Sequence, residues 1–370
     1  MALVDFDVLD GVDEFLEACA LLGLRAGAGM ETRVFVPEFA EDEINSPGEP
    51  GVAYQIGVGF VSSTPRDAAL LDTLKRIAQQ RTRSVLEKVN TLLAEIALDY
   101  EADVLPLTPR ANPTERHLCA AYDAKARERF GDRTALVAYW AGKLGLDRNA
   151  AEKALESPPT FQGVLRAKTM KAGGVGYIQA KGEDFPALIE VNRFVLANGA
   201  IPTFAFLDGT SPGEQRMDDL LDVMIDSGVA AVNIIPDRNW NIADADVKAT
   251  KLKNLDDFIR RAQARHLPII VGTEMNAHGQ RFVDDFDAPE LKPYYQAFAE
   301  GMFILYAHTR LQAHAGMGYL SPWATQAFAS TAEKNRFFVE LGRRLDPKAA
   351  NALENVSPET SPREILRILD

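Results

Sequence analysis

The chain has 370 residues, a formal net charge of −13, 46% apolar residues and 25% charged ones. An acidic balance of that size disfavours the broad basic stripe that tracks a nucleic-acid backbone, and no window approaches the run of about 18 apolar residues that a membrane span needs. Cys19 and Cys119 are isolated and match no zinc or redox spacing, so they read as core residues of a reduced compartment, and with no signal-like N-terminus a cytoplasmic location is expected.

In chain order, residues 3–7 have the short apolar character of a buried strand, and 9–22 carry apolar residues at helical spacing up to Gly23. The β-branched and aromatic run ending at Val36 predicts the next strand, which makes a β-α-β unit and points to a parallel sheet. Residues 37–51 combine prolines, glycines and acids, and read as a solvated loop able to attract a cation. Strand character returns over 52–61, and 68–100 reads as a long helical region with one buried face. A helix opens near Asn112, and the chain stays mostly helical to about Lys171. A second β/α series follows. Strands are predicted at 176–179, 200–206, 229–235 and 268–272, with helices at 185–198, 213–227 and 255–265. From Pro293 onward the chain is largely helical.

The predicted organisation is therefore the first part of a barrel (1–111), an α-helical insertion (112–171), the second part of the barrel (172–292) and a helical C-terminal extension (293–370). Of the five histidines, His308 and His314 lie on a late helix and read as core or surface residues. Only His278 is placed near a strand end.

Four segments carry a resemblance. Residues 2–11, ALVDFDVLDG, are similar to a motif of the form T-D-H-D-T-x-x-G. Gly29-Met30-Glu31 resembles a G-x-E strand end, residues 198–206 resemble G-G-x-x-x-L-A-H-P, and Gly272 to Asn276 stand where G-S-D-x-H is found. In this order and spacing they resemble the polymerase-and-histidinol-phosphatase (PHP) family. That resemblance implies an α/β fold, a distorted barrel of β/α units, with metal ligands at the C-terminal ends of the strands and hydrolysis of phosphate esters. Such chemistry clusters imidazoles and carboxylates so that divalent ions clamp the phosphate and generate hydroxide. Most of those histidines are replaced here. The motif histidine is Phe6, the one expected after Glu31 is Gln55, the A-H-P histidine is Phe206, and the final pair is Glu274 and Asn276. The family's opening H-x-H strand is absent, so an in-frame upstream segment of roughly 20–40 residues is expected, enough for one strand and its link.

If a metal is bound, the resemblance assigns Asp5, Asp7, Glu31 and Glu274 to it. A carboxylate-rich set suits one magnesium or manganese ion better than zinc, and less than about one tightly held transition metal is expected. Arg238, beside Trp240 at a strand end, is placed to bind an anionic or sugar-like ligand, with Asp208, Gln55, Asn276 and His278 as further lining residues. Three functions follow: a metal-dependent phosphoesterase-type hydrolase with a reduced or silent site, a sugar or sugar-phosphate isomerase or aldolase using Glu31 and Glu274 as acid and base, or a non-catalytic small-molecule-binding scaffold. Glu31, Glu274 and Asn276 are expected to face one pocket, where one carboxylate would have a raised pKa unless a cation or arginine sits between them.

Overall fold

The structure is a computed structural model that describes residues 1–275, 279–349 and 351–369. In chain order its main elements are β1 (Ala2–Phe6), α1 (Val12–Leu22), β2 (Gly27–Phe35), β3 (Val52–Val58), α2 (Ala69–Leu92), α3 (Glu115–Arg129), α4 (Arg133–Leu144), α5 (Arg148–Ala154) and α6 (Pro158–Thr169). Then come α7 (Leu188–Ala197), β4 (Ile201–Phe206), α8 (Pro212–Gln215), α9 (Met217–Asp226), β5 (Ala231–Ile234), α10 (Asp237–Trp240), α11 (Ala245–Ala264), β6 (Ile269–Val271), α12 (Tyr295–Ala315), α13 (Pro322–Ala327), α14 (Thr331–Arg344) and α15 (Pro362–Ile368).

Two compact units result: Met1–Leu70 with Lys181–Asn276 and Gln280–Asp370, and Leu71–Ala180 with Ala277–Gly279. The helical unit begins at Leu71 and not at 112, because Val85, Leu86 and Val89 of α2 share one apolar cluster with Leu118, Tyr122, Trp140 and Phe161. The cap of α3 is Thr114, whose hydroxyl accepts from the Arg116 amide at 3.3 Å, rather than Asn112. The strand expected at 176–179 does not form. Gly174 and Gly176 instead pack against the end of α6, where the Gly176 amide donates to the Thr169 carbonyl at 2.7 Å.

The other unit is built on a six-stranded sheet whose spatial order is the sequence order, curled into a half-barrel. β1 and β2 are parallel, and so are β4, β5 and β6, but β3 runs antiparallel to both its neighbours. This corrects the all-parallel expectation. The link from β2 to β3 covers only 36–51 and carries no crossover helix, so the chain returns beside β2 in the opposite sense. Five strands still end at one edge of the sheet, and β3 begins there.

The two faces of this sheet are covered differently. On one, Gln55 of β3 meets Asn192 of α7, and Phe204 and Phe206 of β4 pack on Phe258 of α11, Phe206 stacking at 3.9 Å. On the other, Ile56, Val58, Ile201, Ala205, Ala231 and Ile270 share a core with Ile304, Leu305 and Leu311 of α12 and Phe338 and Leu341 of α14. α12 lies close because of Gly301, where any Cβ would sit 1.9 Å from the Ile269 carbonyl oxygen. His308 of α12 is fully buried. Its Nδ1 accepts from the Tyr319 amide at 2.9 Å and its Nε2 donates to the Gly59 carbonyl at 3.0 Å, and burial holds its pKa down at about 4. It is a core histidine that joins α12 to the end of β3.

Candidate functional site

Strand period and register decide which side chains meet at the edge where the five strands end. Glu31 and Arg33 lie on the same face of β2. Glu31 pairs with Phe6 of β1 and with Ile56 of β3, and Arg33 pairs with Tyr54. Ile56 belongs to the α12-side core, so Phe6, Glu31, Arg33 and Tyr54 form one patch on that face. Phe6 is 42% exposed, and its ring lies 6.5 Å from that of Tyr54 in an edge-on arrangement. The Arg33 guanidinium is 4.5 Å from the Phe185 ring and 6.0 Å from Phe6, and it pairs with Glu49 at 2.6 Å.

Asp7 stands just beyond β1, with φ at 62°, in the left-handed region that aspartate visits more readily than most residues. Its amide donates to the Glu31 carbonyl at 2.7 Å, and its carboxylate accepts from the Thr32 hydroxyl at 2.6 Å. From the far side of the sheet, Arg238 in α10 donates through Nε and Nη2 to the two oxygens of Glu274, at 2.9 and 3.0 Å. This is the bidentate fork that arginine geometry favours.

Glu31 sits among these charges. Burial, and then the like charges of Glu274 and Asp7, push its pKa up to about 7 against the pull of Arg238 and Arg33. Burial likewise raises Asp7 to about 6, against the Thr32 hydroxyl and Arg33. Tyr54 is also raised, chiefly by burial. Among the described residues no hydrogen bond or ion pair engages the Glu31 carboxyl. The Nε of Arg33 is buried without a partner.

The structure thus brings Glu31, Glu274, Arg238 and Asp7 into one electrostatic neighbourhood, but it disperses other expected site residues. Glu31 lies in the middle of β2, not at its end, because β2 runs on to Phe35. Gln55 points to the opposite face, where it is wholly buried and donates to Asn192 at 2.7 Å. Phe206 shares that face for the same reason of strand parity. Asp5 lies on the face opposite Glu31, since it pairs with Met30, and Asp7 stands beyond the end of β1. Asp5 approaches Gly11 at the start of α1, with its pKa raised by burial and then by Asp10. Asp208 is engaged by Lys251 at 2.8 Å. Burial would raise its pKa, but Lys251 and Thr210 outweigh that and lower it. Asn276 and His278 lie outside the described residues.

The 37–51 loop is not a loosely solvated run. Asn45, Ser46 and Glu49 are buried. Ser46 donates to Glu49 at 2.6 Å, and Asn45 accepts from the Tyr54 amide at 2.8 Å and donates to the Ala205 carbonyl. Sequence reading had passed over Arg33, Tyr54 and Glu49. The available signal was the alternation along β2, which puts Arg33 on the face of Glu31.

The donors assigned to a divalent ion do not fit one. Asp5 is on the other face, both Glu274 oxygens are taken by Arg238, and among the described residues no three His, Cys, Asp or Glu side chains gather as a metal-holding group. A cleft of about 530 Å³ opens elsewhere, where α12 and α14 meet the start of β6, lined by His266, Pro268, Gly301, Asn335 and Arg336 among others. No titratable side chain lining it is buried.

No family model matches the chain, and no curated protein matches it. Among solved structures, it is similar to an amidohydrolase from Chromobacterium violaceum with bound sulfate and no metal, at 16% identity and a TM-score of 0.46, over 80% of this chain and 84% of that one. It is also similar to a protein assigned as a metal-dependent phosphoesterase from Bifidobacterium adolescentis, at 17% identity and a TM-score of 0.44, over 80% of this chain and 85% of that one. No helix among the described residues is long and apolar enough to cross a membrane.

Proposed function

We propose that this chain is a hydrolase-type α/β protein that binds a small anionic ligand at the edge formed by Phe6, Glu31, Arg33, Tyr54, Arg238 and Glu274, with Glu31 as its proton-carrying group. One observation carries the reading. A largely buried carboxyl, unengaged by any hydrogen bond among the described residues, feels the charge of two guanidiniums that are each held by another carboxylate. A carboxyl with a pKa near 7 gives and takes a proton at neutral pH with little thermodynamic penalty, which is what a general acid or base requires. The guanidiniums supply charge for an anion. Glu274, held through both oxygens by Arg238, positions that arginine rather than sharing the proton work, which favours this reading over a paired-acid isomerase. The proton chemistry is assigned to Glu31, and no step is derived through a metal ion.

The test uses p-nitrophenyl phosphate and p-nitrophenyl hemisuccinate, with rates followed from pH 5 to pH 9. Turnover should show a limb near pH 7 that disappears in Glu31→Gln, while Arg33→Gln weakens the shift in Tm produced by inorganic phosphate or acetate. A protein that turns over neither ester, and whose stability responds to neither anion, would count against the proposal and leave the scaffold reading.

A further inference from the structure

We infer that the anion this edge selects is a monocarboxylate carried on a flat aromatic ring, with Phe6 and Tyr54 as the ring-binding wall. The inference rests on the proposed ligand site and narrows its chemistry. Three observations support it.

The first is Phe6 itself. A phenylalanine 42% exposed at the end of a strand, flanked in register by a buried carboxyl, is an apolar surface left for something to cover. Its neighbour Tyr54 meets it edge-on at 6.5 Å, so the two rings form a corner rather than a closed stack. A third ring placed in such a corner can make both face and edge contacts.

The second is the guanidinium. Arg33 lies 4.5 Å from Phe185 and 6.0 Å from Phe6, with its Nε buried and unpartnered. An anionic substituent on a ring seated against Phe6 falls within reach of that arginine, and a buried donor without an acceptor favours a ligand that supplies one.

The third is the charge count. Arg33 and Arg238 already face Glu49 and Glu274, and Asp7 adds a further acid. A dianion such as a phosphate ester meets net repulsion from this set, whereas a monoanion meets less.

The experiment is isothermal titration of the full chain with acetate, benzoate, inorganic phosphate and phenyl phosphate at pH 6. Benzoate should bind about tenfold more tightly than acetate at pH 6, the scale expected when one ring is buried against an aromatic partner. Phe6→Ala should erase that ratio by weakening benzoate far more than acetate. Phe6→Leu, which keeps bulk but no ring, should retain only part of it. Because Phe6 is substantially exposed, both variants are expected to fold, which circular dichroism checks. Equal affinity for acetate and benzoate, or a ratio untouched by Phe6→Ala, overturns this inference while the anion site stands. Preference for phenyl phosphate over benzoate overturns the charge argument. Absence of binding by all four anions defeats the underlying site.

Discussion

Two glutamates in the same unit reach the same pKa for different reasons. Glu31 and Glu214 both stand at about 7, and burial is the largest cause for each. Glu214 is nonetheless well provided for. Its oxygens accept from the amides of Leu207 at 2.7 Å, Asp208 at 3.1 Å and Gly209 at 2.8 Å, so it fastens the turn after β4. Glu31 has no such donors. What surrounds it is charge: Glu274 and Asp7 on one side of the balance, Arg238 and Arg33 on the other. A raised pKa therefore marks a buried carboxyl, and only its partners separate a structural clasp from a group free to exchange protons with a ligand. That contrast can be broken or sharpened by experiment.

The largest effect is expected at the clasp. Glu214→Ala leaves three amides without their acceptor, and at roughly 1–3 kcal/mol for each buried donor left unsatisfied the loss should be about 3–5 kcal/mol after partial relaxation. Urea unfolding measures it, and a loss below about 1 kcal/mol would show that the three bonds are dispensable.

A change of opposite sign is expected at Glu31. Its folded pKa lies above the unfolded value of 4.5, so the folded state binds more protons between pH 4.5 and 7, and stability falls as pH rises through that window. Glu31→Gln removes the burdened charge. It should stabilise the protein by about 1–3 kcal/mol at pH 8 and leave it nearly unchanged at pH 4. Thermal unfolding at the two pH values decides the matter, and equal Tm values at pH 8 would remove Glu31 from the set of perturbed groups.

The smallest effect concerns Arg238. Replacing it by Gln takes away a cation that lowers the Glu31 pKa and releases Glu274 from its fork. The Glu31 carboxyl should then titrate higher, by up to about one unit, when followed by carbon-13 NMR. An unshifted or lowered value would mean that the two groups are not coupled.

Much of the element pattern was legible because it is local. Hydrophobic spacing and glycine stops located β1, β2, β4, β5, β6 and the helices between them. The charge coupling of Glu31 with Glu274 arises although Glu31 stands in the middle of β2 rather than at a strand end, as sequence spacing had suggested. The errors came from non-local causes. The direction of β3 followed from a loop without a helix, which reversed one strand in an otherwise co-directional sheet. The placement of Gln55 and Asp5 followed from strand parity, where one residue of offset exchanges the faces. The composition of 37–51 gave no hint that Asn45, Ser46 and Glu49 would be buried against the sheet.

The sequence by itself located most of the strands of the sheet and the helices between them. The tertiary structure alone decided that Glu31 has no hydrogen bond among the described residues, that Glu274 is occupied by Arg238, and that Arg33 and Phe6 share its face. The reason is physical: propensity and period act over a few residues, whereas burial and charge coupling depend on which distant segments fold against one another.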